Sequence, residues 1–221
     1  MTASDTAPAT ILKTFQAYVP LALRTEPDFV KLCSYWGFNH DGEPIVGDMG
    51  AVERIQAFVR LHHATIGLAT EGNELDSAIT EEHRLEEGGD IGWYTAQAFA
   101  AIEALMASSE EFANTLRGEI MFVLEKVEAP WDLKACVFAF VQDAKRFIFY
   151  QRADKLFSLV QHIAGILVAL NNLATSSTQV DDLEHLLETN IAKLQKRYPD
   201  GYSDWHAKER ADKDKETDDV Q

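Results

Sequence analysis

The sequence predicts an all-α protein, an antiparallel helical bundle, on three observations. Apolar residues recur at spacings of three and four along nearly the whole chain, β-branched alternation is scarce, and Gly and Pro are sparse, 12 and 6 among 221 residues. With 46% hydrophobic residues, a chain of this length can bury a genuine core as one large domain.

The elements follow in order. A first helix covers "ILKTFQAYVPLALR", bent or interrupted by Pro20, and a second covers "DFVKLCSYWGF". The turn-rich "NHDGEPIVGDMG" comes next. Ala51 to about Thr80 reads as one long helix, and "EHRLEEGGDIGWYTAQAFAAIEALM" as its antiparallel partner across a short connection. "SSEEFANTLRGEIMFVLEKVE" opens with Ser108 and Glu111 spaced as a capping box, and "PWDLKACVFAFVQDAKRFIFYQR" opens with Pro130 at a first helical position. "DKLFSLVQHIAGILVALNNLA" and, after the polar break "TSSTQ", "VDDLEHLLETNIAKLQKRY" complete the helices. Residues 1–203 thus form the domain, and 204–221 form a charged tail too poor in apolar residues to pack.

Charge narrows the partners. The balance of 20 basic against 36 acidic residues, 20 − 36 = −16, repels a phosphate backbone, so polymeric nucleic acid is excluded. A small anion can still bind where metal ions stand between it and the carboxylates. The N-terminus lacks a basic n-region with an apolar core, and no segment reaches the roughly 18 uninterrupted apolar residues of a membrane span. The expectation is a cytoplasmic protein without membrane partners. Cys33 and Cys136 have no metal spacing and read as buried thiols.

The chemistry concentrates in "GLATEGNELDSAITEEHRLEEGGDIGWY". Residues three apart on a helix share a face, so Glu71 with Glu74 makes one acidic pair and Glu87 with Asp90 another, and an antiparallel hairpin can set them opposite each other. Either pair alone is most simply a solvated helix face. Two pairs inside apolar patterns on adjacent helices are different, because four converging carboxylates repel and raise one another's pKa unless a cation joins them. Oxygen-only ligands favour a hard ion, Mg²⁺ in particular, with Mn²⁺ as a substitute. The di-iron carboxylate bundles need E-x-x-H on two helices, and the nearest spacing here is a single Asp182 with His185, which reads as a helix surface pair.

"HATIGLATEGNELDSAI" followed by "LEEGGDIGWY" resembles the MazG-like members of the all-α NTP pyrophosphohydrolase superfamily, which also includes dimeric dUTPases and dCTPases. The shared signature is E-x-x-E, a spacer of a dozen or more residues, then E-x-x-D; here Leu75 to Glu86 separate Glu74 from Glu87. Members of this kind are common in bacteriophages, and "NIAKLQKRYPDGY" resembles the C-terminal arm that many of those carry. The resemblance implies hydrolysis of a nucleoside triphosphate, a dNTP in the first instance, to monophosphate and pyrophosphate, serving nucleotide-pool control. It implies Glu71, Glu74, Glu87 and Asp90 as catalytic Mg²⁺ ligands, with Tyr94 against sugar or base. It also implies that Lys193 and Arg197 contact phosphates and that Asn190 contacts sugar or phosphate. Location would be the cytoplasm, or the host's if phage-encoded, and a homodimer is compatible with it.

The chain departs from the family pattern in three places. Thr70 stands where many relatives have Glu, and Gly88-Gly89 puts two glycines in mid-helix. Some ninety residues also intervene before the arm. They can be laid over the first hairpin as a degenerate second repeat at about 130–198, with Gln142, Lys145, Gln161 and Ala164 where the four acids stood. Such a half would lack metal. His62 and His63 precede the acids by two turns and read as packing residues. The alternative to an enzyme is a non-catalytic helical interaction protein on the same scaffold.

Overall fold

The computed structural model describes residues 7–24, 49–106, 118–125, 131–150 and 152–199. All regular structure among them is helical. The expected helix over "DFVKLCSYWGF", the Ser108 capping box, Pro130 and the tail lie outside the described residues.

Helix α1, Ala7–Leu23, buries Leu12, Phe15, Tyr18, Val19 and Ala22, a stripe of three and four spacing. Pro20 lies inside α1 rather than ending it. α2, Met49–Ser77, and α3, Glu81–Met106, form the expected hairpin. The chain leaves α2 at Ser77 because Thr80 serves the next helix: its Oγ1 accepts from His83 N at 3.1 Å, and Glu81 and Glu82 fill the first turn, complementing the helix dipole.

A helical segment over 118–125 precedes α4, Leu133–Tyr150. The cap of α4 is Asp132, whose Oδ1 accepts from Ala135 N at 2.7 Å, so the helix starts at Leu133 rather than at the expected Pro130. α5, Lys155–Thr175, returns antiparallel, and α6, Leu183–Arg197, starts at Asp182, whose side chain accepts from His185 N at 2.9 Å. By length and composition α5 could cross a membrane, yet 56% of its most apolar window is buried inside the protein, as in the core helix of a globular bundle.

The α2/α3 and α4/α5 hairpins pack face to face, α2 on α4 and α3 on α5, while α1 and α6 cover the remaining side of α3. α3 is therefore the central element, buried around most of its circumference. Its glycines account for how closely the others approach. A Cβ built on Gly88 would stand 2.7 Å from Leu173 Cδ2, one on Gly92 2.6 Å from Leu187 Cδ2, and one on Gly89 3.0 Å from Asn190 Cβ. The mid-helix glycines thus give α5 and α6 a flat seat, at about 1 kcal/mol each in helix propensity. Glu81 ties the α5–α6 connection to the start of α3, accepting from Ser177 Oγ at 2.7 Å and Thr178 N at 2.6 Å.

Cys136 is a buried thiol, pushed up to about 11 by burial and the Asp132 charge.

Candidate metal centre

Glu71 and Glu74 on α2 meet Glu87 on α3, with one carboxylate oxygen from each inside a common 4.8 Å. Glu87 is 4% exposed, Glu71 is half-buried and Glu74 is open to solvent, so the cluster runs from the core to the surface. His83, one turn before Glu87, places Nε2 2.9 Å from Glu87 Oε1. The other oxygen, Oε2, is buried with no N–H or alcohol donor among the described residues.

Burial first, then a hydrogen bond to Glu87 and the charges of Asp90, Glu74 and Glu87, push Glu71 up to about 8. Glu87 is also raised, by burial and by Asp90, Glu74 and Glu86, although the bond from Glu71 opposes the rise. The Glu71 carboxyl therefore donates to the Glu87 carboxylate at neutral pH.

Asp90 lies beside this triad and has other partners. Lys193 Nζ sits 2.6 Å from its Oδ2 and 2.8 Å from its Oδ1, and Asn190 Nδ2 donates to Oδ1 at 2.7 Å. Asn190 is buried, and its Oδ1 accepts from Tyr18 OH at 2.8 Å. A chain of polar contacts thus joins α1, α6 and α3 behind the acids. Lys193 also reaches Glu86 Oε1 at 3.4 Å and borders an open cleft of about 470 Å³ between α3 and α6, lined by Gly89, His185 and Thr189.

Tyr94 lies one turn beyond Asp90, its ring laid directly on the α2 backbone at Gly67, where a Cβ would meet the ring at 2.1 Å. His63 and Trp93 hold that ring at centroid distances of 5.5 and 4.7 Å. Burial, Glu71 and Asp90 raise the Tyr94 phenol, so it stays protonated. Arg197, in the last turn of α6, places its guanidinium 5.8 Å from the Tyr198 ring and close enough to Tyr94 to oppose that rise. His63 bonds Gln97 Oε1 through Nδ1 at 2.9 Å, and exposed His62 packs on Phe149. Thr70 donates to Gly67 O at 2.8 Å, turned back on its own helix.

Of the residues the sequence singles out, the structure brings together Glu71, Glu74 and Glu87 in one group, and Asp90, Asn190 and Lys193 in an adjoining one. Sequence reasoning missed His83, Glu86 and Tyr18. His83 had a legible signal, four residues before an acid on a helix. Tyr18 had none, being 172 positions from Asn190.

The second hairpin carries a different polar centre. Buried Asp143 faces Arg146 Nη1 at 2.8 Å, His162 Nε2 at 3.3 Å and Lys155 Nζ at 3.6 Å. Burial works to raise the Asp143 pKa, but the Arg146 and His162 hydrogen bonds and the Lys155 charge bring it below the usual value. Asp143, Arg146 and His162 stand one position on from Gln142, Lys145 and Gln161; Gln142 is half-buried, Lys145 and Gln161 are exposed, and Ala164 is in the core.

Compared with known protein families, curated proteins and solved structures, the chain matches none.

Proposed function

We propose that this protein is a Mg²⁺-dependent nucleoside triphosphate pyrophosphohydrolase that converts dNTPs to monophosphate and pyrophosphate in the cytoplasm. The observation that carries the reading is the convergence of Glu71, Glu74 and Glu87 within 4.8 Å, one of them buried with an oxygen that no N–H or alcohol donor among the described residues satisfies. Such a cluster fits a hard divalent ion: the donors are all oxygen, and a cation there would offset the burial and the neighbouring negative charges that raise Glu71. Bound at that point, the ion would neutralise triphosphate charge and acidify a water.

The protein's own residues supply the rest. His83 fixes Glu87 through Oε1, and Oε2 is left buried without an N–H or alcohol donor among the described residues. Glu71 would have to release its proton to serve as a ligand. Asn190, held by Tyr18, orients Asp90 beside the triad. Lys193 and Arg197 bring positive charge to the phosphates from α6, and protonated Tyr94 offers a ring face and a hydroxyl to the nucleoside. The α4/α5 hairpin is the inert counterpart, in which Arg146, Lys155 and His162 supply the positive charge around Asp143.

An apolar strip favours the second reading, a non-catalytic interaction protein. Ile55 and Phe58 on α2 and Phe138 and Phe149 on α4 are all exposed, with Phe58 stacked on Phe147 and His62 edge-on to Phe149. A panel of NTPs and dNTPs with Mg²⁺, scored by product, separates the two. Monophosphate with pyrophosphate supports the enzyme; diphosphate with phosphate assigns the wrong bond; no turnover together with no Mg²⁺ binding leaves the interaction protein.

A further inference from the structure

The contact between Lys193 and Asp90 has a shape that an ordinary surface ion pair lacks. The ammonium lies within 2.8 Å of both carboxylate oxygens, with the lysine side chain 18% and the aspartate 25% exposed. It arrives from α6 across 103 residues of sequence, beside a triad already crowded with negative charge. Asn190 donates to the same carboxylate, so Asp90 keeps its orientation whether or not the lysine is there. The lysine has somewhere else to go, since Lys193 already lines the cleft between α3 and α6 and its Nζ reaches Glu86.

We infer that Lys193 is a tethered counter-cation of the acidic centre: it neutralises Asp90 in the metal-free protein, is displaced when a divalent ion takes that carboxylate, and is thereby released toward an anionic ligand. The inference rests on the metal reading above and adds a coupling to it. A cation that takes Asp90 as a further ligand must break the Lys193–Asp90 contact, so the lysine weakens metal binding. Once displaced, the ammonium no longer has Asp90 as its partner and becomes available to the oxygens of a polyphosphate. The same side chain therefore has opposite effects on the two ligands, and the binding order is metal first, anion second.

The test is calorimetric titration of the full-length protein with Mn²⁺, and then of the Mn²⁺-loaded protein with pyrophosphate, using wild type, Lys193→Met and Lys134→Met. Lys134 pairs with Asp76 near the end of α2 and controls for the general loss of one positive charge. Lys193→Met is expected to bind Mn²⁺ at least tenfold more tightly and pyrophosphate at least tenfold more weakly, with Lys134→Met within threefold of wild type for both. Equal Mn²⁺ affinity in wild type and Lys193→Met overturns the inference and leaves the metal reading standing. Weakening of both ligands overturns it too, since that is what a lysine that merely clamps α6 would give. No Mn²⁺ binding in either protein removes the metal reading and the inference together. Should Lys193→Met fail to fold, the ¹⁵N–¹H signal of the wild-type Lys193 ammonium answers instead. It is expected to be protected from exchange without metal and exposed once Mg²⁺ is added, and an unchanged signal at saturating Mg²⁺ overturns the displacement.

Discussion

Metal binding should release a proton, and the amount follows from Glu71. Its carboxyl is pushed up to about 8 in the metal-free fold, so at pH 7 it is about nine-tenths protonated, and a divalent ion that takes it as a ligand must expel about 0.9 proton. Between pH 6 and 8 the apparent affinity for Mg²⁺ should rise about tenfold per pH unit and then level off. The same proton acts on stability with the opposite trend. A carboxyl raised above its unfolded value of 4.5 binds a proton in the folded state that the unfolded chain has already lost. Its contribution is fully present below about 4.5 and is lost as pH rises through about 8. The metal-free protein should therefore melt at a lower temperature at pH 8.5 than at pH 6, and saturating Mg²⁺ should flatten that difference. Calorimetry in buffers of different ionisation enthalpy counts the protons, and Glu71→Gln should abolish both the release and the pH trend. An affinity flat from pH 6 to 8, with no proton released, would refute the argument that Glu71 and Glu87 share a proton at the metal's place.

Glu74 is exposed and Asp90 is ion-paired, so their amides should part company: Glu74→Gln and Asp90→Asn both abolish turnover, but only the second lowers stability in a thermal melt. Loss of the half-buried pair to Lys193 should cost about 1–3 kcal/mol, between the surface and fully buried cases. Gly67→Ala places a methyl against the Tyr94 ring, which His63 and Trp93 prevent from moving freely. Overpacking of about 1–3 kcal/mol should outweigh the helix gain of about 1 kcal/mol, lowering the denaturant midpoint. Asp143→Ala should destabilise the protein by leaving Arg146, Lys155 and His162 without their common carboxylate, yet leave Mg²⁺ affinity at the wild-type value. Gln142→Ala and Gln161→Ala should change neither by more than a small increment.

The helical hairpin was legible because its signals are local. Three and four spacing defined α2 and α3, and the same arithmetic placed Glu71, Glu74 and Glu87 where they could meet across one short connection. Asp90 shows where local arithmetic stops. Two residues three apart on a helix differ by about 60° in direction, a difference that the shared-face rule ignores. Here it is enough to aim Glu87 at α2 and Asp90 at α6. The distances at which α5 and α6 sit are set by Gly88 receiving Leu173 of α5 and by Gly89 and Gly92 receiving Asn190 and Leu187 of α6, contacts made across long stretches of chain that no periodicity encodes. The glycines were visible as a departure from helix propensity, but only the packing explains them. Caps divided in the same way: Thr80 and Asp132 won their helix starts through specific hydrogen bonds, ending α2 early and starting α4 late relative to the sequence reading.

The central claim is that Glu71, Glu74 and Glu87 hold a divalent ion. Anomalous scattering from crystals grown with Mn²⁺ tests it directly. The account predicts a peak among those three carboxylates, with Asp90 joining the coordination as Lys193 turns away. A peak elsewhere, at Asp143 for instance, or a structure at saturating Mn²⁺ with Glu71 still bonded to Glu87 and no ion between them, would contradict it.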